Sequence, residues 1–154
     1  MSTTATKAVR KSVDVDVTVE RAWAVFTEEM GSWWPLASHS ISHEHGGVPD
    51  GVVVEGHVGG AIYETIAEDR LMWGTIAEWE PPRRLGVDWT VSTGVTTRWT
   101  ATFSQTATGT HVELVHTGFE GHGATEDETR ASYDSDDGWT YVLSCFVDVV
   151  ASSS

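Results

Sequence analysis

The chain has a single cysteine, Cys145, so no disulfide can form within it. A reducing, intracellular setting is the simpler expectation. Basic residues are scarce: 9 Lys and Arg stand against 23 Asp and Glu, a formal net charge of −14. That deficit repels phosphate backbones and anionic membrane surfaces, so nucleic acid is not an expected partner. No apolar run approaches the roughly 20 residues that a membrane-spanning helix needs, so membrane insertion is not expected either. Residues 1–11 are polar and lack the apolar centre of a signal peptide, so the expected location is cytoplasmic. There is no glycine-rich phosphate loop, because Gly56-His57-Val58-Gly59-Gly60 fits neither nucleotide signature. No nucleophile with a paired base is readable. Cys145 reads as a small buried apolar residue. The acidic runs at 126–128 and 134–137 lack the order of a twelve-residue calcium loop, so they read as a solvated face. No cofactor is expected.

What the chain does have is tryptophan, 8 in 154 residues. Indole is bulky and its N–H needs a partner, so it fills a small core awkwardly and suits the wall of a cavity. Three of the eight fall within residues 71–89. There Trp73, Thr75, Ala77 and Trp79 have the spacing of one strand face, and Val87 and Trp89 share a face beyond Pro81-Pro82. Two prolines in a row donate no backbone hydrogen bond, so the chain must leave the sheet at Pro81 and re-enter near Leu85.

The remaining pattern is that of an α+β domain over residues 9–150, with flexible termini at 1–8 and 151–154. Val13, Val15, Val17 and Val19 alternate with polar residues as in a half-buried strand. Thr18 is placed to cap a helix carrying Ala22, Val25, Phe26 and Met30 on one side, with Gly31 as its stop and any second helix ending by Trp34 before Pro35. Strands follow at 52–58 and 61–67, joined by Gly59-Gly60, then at 71–80, 85–91, 96–106 and 110–118. Trp139, Val142, Leu143, Phe146 and Val150 form the apolar stripe of a C-terminal helix that starts within residues 124–133, with a break near Gly138. Strands outnumber what one helix can cover, so the sheet curves around the last helix and leaves a cavity.

Several of these stretches resemble a known family. Glu20-Arg21-Ala22-Trp23, Trp33-Trp34-Pro35, Gly59-Gly60-Ala61-Ile62-Tyr63-Glu64, Trp79-Glu80-Pro81-Pro82-Arg83-Arg84-Leu85, Leu114-Val115-His116-Thr117-Gly118-Phe119 and Gly138-Trp139 are similar to the SRPBCC (START-like, Bet v 1-like) superfamily. Within it, the chain is most similar to the group named after the activator of the heat-shock-protein-90 ATPase, the AHSA1-like group. The resemblance implies a helix-grip fold: a curved antiparallel sheet of seven strands around a long C-terminal helix, with two short helices after the first strand. It implies a hydrophobic cavity for small apolar or aromatic molecules. It does not imply one activity.

Candidate residues follow from these readings. Trp33, Trp34, Tyr63, Trp73, Trp89, Trp99, Phe103, His116 and Trp139 are expected to line a ligand cavity, while Trp79 is expected to brace the corner. Tyr63 and Glu64 are neighbours and point to opposite faces, and Tyr63 is the one expected inside. His116 is aligned with Val112 and Leu114; it and Tyr63 are the weak candidates for acid–base chemistry, set against a plain core histidine. His39, His43 and His45 are spaced like zinc ligands, set against a solvated loop. Three functions stand at this point. A binding protein for a small hydrophobic molecule is preferred to a cyclase or hydratase, because His116 has no second acid–base partner in view. A co-chaperone-like regulator of a heat-shock-protein ATPase is the third, and a homodimer is open.

Overall fold

The computed structural model describes residues 8–36, 38–39, 47–90 and 95–153. Seven strands form one antiparallel sheet: β1 (Val9–Val15), β2 (Gly51–Val54), β3 (Ala61–Ile66), β4 (Asp69–Glu80), β5 (Arg84–Trp89), β6 (Thr97–Gln105) and β7 (Thr110–Thr117). Their spatial order is β1-β7-β6-β5-β4-β3-β2. Each strand from β2 to β7 pairs with the next in sequence, and β1 closes the row by pairing with β7. Helices α1 (Val19–Glu28) and α2 (Met30–Trp33) carry the chain from β1 at one edge to β2 at the other. A 3₁₀ stretch (Phe119–Thr125) and α3 (Glu126–Asp134) follow β7, and α4 (Trp139–Ser153) lies in the concave side of the sheet. This is the helix-grip architecture that the resemblance implied.

Local sequence accounts for most of these elements. In β1, Val9 and Val15 are buried while Arg10, Ser12 and Asp14 are exposed, as alternation requires. Thr18 caps α1, its Oγ1 accepting from Arg21 N–H at 3.1 Å. Ala22, Val25 and Phe26 are buried on one side of α1. The break between α3 and α4 falls just before Gly138-Trp139. The chain leaves the sheet after Glu80 and re-enters at Arg84, with a cis peptide at Pro81-Pro82.

Two expectations are corrected. Gly31 does not stop a helix but lies inside α2. A Cβ there would sit 3.0 Å from the Val52 backbone nitrogen, so glycine lets α2 approach β2. The second correction concerns β4. Thr75 is exposed and Ile76 is buried, so Trp73, Thr75, Ala77 and Trp79 do not form one unbroken face. The register explains this. Ile62 pairs with Gly74 and Tyr63 with Met72, so Trp73 is an extra residue against β3. Ile76 pairs with Val87 and Glu78 with Gly86, so Ala77 is an extra residue against β5. Each bulge inverts the alternation. Two inversions cancel, and Trp73 and Trp79 both return to the inner side.

Candidate functional site

Six indoles meet on the concave side. Trp33 belongs to α2 and Trp34 directly follows it; Trp73, Trp89 and Trp99 come from β4, β5 and β6; Trp139 opens α4. Trp34 lies at the centre, with ring centroids 5.5 Å from Trp33, 4.8 Å from Trp73, 5.8 Å from Trp89 and 5.7 Å from Trp139. Trp99 joins through Trp89 at 5.7 Å and Trp139 at 5.5 Å. All six are buried. Phe103 is buried too but lies toward α1, 5.3 Å from Phe26 and 5.4 Å from Trp23.

The indole N–H groups show what else the layer contains. Trp33 Nε1–H donates to the carbonyl of Val25 at 3.0 Å, and Trp34 Nε1–H to that of His39 at 2.7 Å. Trp73 Nε1–H donates to Glu64 Oε1 at 2.6 Å. Trp89 Nε1–H donates to Tyr133 Oη at 3.2 Å, and Trp139 Nε1–H to His116 Nδ1 at 3.0 Å. Trp99 Nε1 is buried and has no acceptor among the described residues. An unpaired buried donor costs about 1–3 kcal/mol, so a native core rarely leaves one without a reason.

His116 is fully buried on β7, against Phe119 and Tyr133. Its Nδ1 accepts from Trp139, so the neutral ring carries its proton on Nε2, which donates to Thr97 Oγ1 at 2.7 Å. Burial, and then the nearby His122, push its pKa down to about 3. His116 is therefore a neutral imidazole at ordinary pH with both nitrogens engaged. To act as a base it would first have to release Trp139.

Glu64, rather than Tyr63, reaches this layer. Glu64 is fully buried against Trp73. Tyr63 pairs with Val53 and Met72, both partly exposed on the convex side, and the Arg70 guanidinium lies 5.1 Å from its ring centroid. Cross-strand partners share a face, so Tyr63 is convex. The reason is again the register: Glu64 pairs with Val52 and Leu71, whose face continues to Trp73. Arg98 is also convex, its Nε donating to Asp88 Oδ1 at 2.5 Å. Glu64 was expected on the outer face and is corrected to the inner one, while Thr97 and Tyr133 were not singled out from the sequence. The signal for them was the indole count itself, since each buried N–H requires an acceptor.

Of the histidine loop, His39 is described and His43 and His45 lie outside the described residues. Ser38 Oγ–H donates to His39 Nδ1 at 2.7 Å, and His39 Nε2–H donates to the Asp137 carbonyl at 2.6 Å. His39 thus tethers its segment to the start of α4. Among the described residues no three His, Cys, Asp or Glu side chains converge as a metal site would need. No helix among them is long and apolar enough to cross a membrane.

Comparison with known proteins places these features in context. The family model described as "Activator of Hsp90 ATPase homolog 1-like protein" matches residues 16–151. No curated protein sequence matches the chain. Among solved structures, the chain is 31% identical to Txn09, named as an anthrahydroquino-γ-pyrone synthase, with a TM-score of 0.62 and coverage of 92% of this chain and 96% of that one. It is 18% identical to an AHSA1-like protein from Aeromonas hydrophila, with a TM-score of 0.65 and coverage of 96% and 94%. It is 10% identical to an Aha1 dimer from Colwellia psychrerythraea, with a TM-score of 0.64 and coverage of 94% and 96%. The last two likenesses concern the fold alone.

Proposed function

The chain belongs to the family of Activator of Hsp90 ATPase homolog 1-like proteins, and from that premise we propose that it binds a small planar aromatic molecule on the concave face of its sheet. One observation carries this reading. The six-indole layer is joined to the buried polar groups Glu64 and His116 with Thr97, and to the half-buried Tyr133, which packing alone does not call for. Stacked or edge-on aromatic contacts contribute about 0.5–1.5 kcal/mol each beyond area burial, so a flat ring would find favourable neighbours on several sides. The buried polar groups would set its orientation. The name of the relative that is 31% identical concerns polycyclic aromatic chemistry, which supports the same ligand class. Trp33, Trp34, Trp73, Trp89, Trp99 and Trp139 form the wall in this reading, while Tyr63 and Phe103 stand outside it.

The test is native mass spectrometry of the purified chain together with titration of its tryptophan fluorescence. A co-purified small molecule, or quenching by polycyclic aromatic probes with a rise in melting temperature, is the expected outcome. No adduct, and no response to a diverse aromatic panel, would end the reading.

A second reading is a cyclase-type enzyme, favoured by the synthase name of the same relative. Its acid–base group is then Glu64, because His116 has both nitrogens committed. Glu64→Gln would abolish turnover of an aromatic polyketide-like substrate while leaving its binding measurable. Unchanged turnover in that variant would remove Glu64 from the chemistry.

A further inference from the structure

The indole N–H of Trp99 is the odd one in the layer. Trp33, Trp34, Trp73, Trp89 and Trp139 each donate to a named oxygen or nitrogen. Trp99 is fully buried in the middle of the sheet and its Nε1 finds no acceptor among the described residues. Its surroundings explain why. Trp99 pairs across the strands with Val87 and with His116. Val87 offers no side-chain acceptor. His116 has one lone pair, and Trp139 occupies it. Its other nitrogen is bound to Thr97. The rings of Phe26, Trp89 and Trp139 surround the rest of Trp99 at centroid distances of 6.2, 5.7 and 5.5 Å. Trp139 thus takes the one imidazole acceptor, and the layer leaves the Trp99 donor over.

We infer that Trp99 Nε1–H is the specificity-determining donor for the bound molecule, and that the ligand class is a planar aromatic carrying a neutral carbonyl, such as an aryl ketone or quinone. This rests on the binding reading above and adds to it the polar half of the ligand. Satisfying this donor takes an acceptor oxygen within about 3 Å of it. A hydrocarbon of the same outline leaves the N–H unpaired, so the site discriminates against it.

The experiment compares 9-fluorenone with fluorene, which differ in outline mainly by the ketone oxygen. Binding is followed by tryptophan fluorescence, and the indole N–H signals by ¹⁵N-resolved NMR. In the native chain, fluorenone should bind about tenfold more tightly than fluorene. It should also shift the Trp99 Nε1–H resonance downfield, which fluorene should not do. In Trp99→Phe the preference should fall to near unity. Because that variant also loses ring volume, a second one replaces Trp99 by 3-benzothienylalanine, which keeps the shape and removes the N–H; it too should lose the preference. Equal affinity for the two probes in the native chain, or a preference that survives in the benzothienyl variant, overturns the inference and leaves the binding site standing. If neither probe binds, the binding reading fails and the inference falls with it.

Discussion

The two ends of the concave layer are built on different principles. Toward the Pro81-Pro82 corner, Trp23 packs edge-on against Trp79 at 5.0 Å and Phe103 at 5.4 Å, and Phe26 against Phe103 at 5.3 Å. The buried hydroxyls there, on Thr27 and Thr110, each donate to a backbone carbonyl, those of Trp23 and Val17, both at 2.8 Å. That end is a packing problem solved with carbon. Toward α3, Trp89, Trp99 and Trp139 share space with His116, Thr97 and Tyr133. That end is a hydrogen-bonding problem, and among the described residues it is left unsolved at the Trp99 indole and at Nε2 of His122. A core that only needed filling would use the first solution throughout, because polar groups in an apolar interior are costly unless fully paired.

Substitutions at the two ends should separate the principles. The largest effect is expected at the carbon end. Phe26 touches Trp33, Trp99, Phe103 and Phe146, and Phe26→Ala should cost about 3–5 kcal/mol in urea denaturation. A loss below about 1 kcal/mol would mean that this end is not where packing is decided. Next is His116→Phe at the polar end. The new ring keeps the bulk but orphans the Trp139 N–H and the Thr97 hydroxyl, for a loss of about 2–4 kcal/mol. If it stabilises the chain, the polar end was dispensable to the fold.

A pH effect follows from the same residue. The folded His116 pKa is depressed to about 3 from 6.5. Between those values the unfolded chain binds more protons, so stability is full above about pH 6.5 and falls as pH drops toward 3. The slope is at most about 1.4 kcal/mol per pH unit. In His116→Gln this component should vanish; an unchanged slope would assign it to other groups. The smallest effect belongs to the corner. A Cβ on Gly56 would lie 2.8 Å from Trp79 Cζ2, yet Trp79 is only partly buried and has room to give. Gly56→Ala should cost about 1 kcal/mol in a thermal melt, without altering ligand binding. A larger loss, or weakened ligand binding, would tie the carbon end to the site and blur the contrast.

The fold was readable where one period governs a stretch. The alternation of β1, the Thr18 cap, the corner at Pro81-Pro82 and the stripe from Trp139 to Val150 all follow from local rules. The site was less readable, for two physical reasons. A bulge adds one residue without any mark in the hydrophobic pattern, so a template of period two placed Thr75 inside and missed Ile76. And hydrophobicity favoured Tyr63 over Glu64 for the interior, whereas pairing gave the inner place to the residue that can accept from Trp73. The aromatic members of the set depend mainly on size and could be picked out. The acceptors depend on which strand lies beside which, and that is not local information.

The two extra residues of β4 have a consequence for how this strand can change length. Side-chain direction along a strand is a parity, and Trp73 and Ala77 each reverse it. Deleting Ala77 alone would remove the extra position and its reversal together, so Glu78 would still oppose Gly86 and Trp79 would still oppose Leu85. Deleting Thr75 instead would draw the extra residue into the ladder: Ile76 would move opposite Asp88 and face water, and Ala77 would take the inner place opposite Val87. A one-residue shortening is therefore harmless at Ala77 and disruptive two positions before it. Along this stretch, which residue is lost matters more than how many.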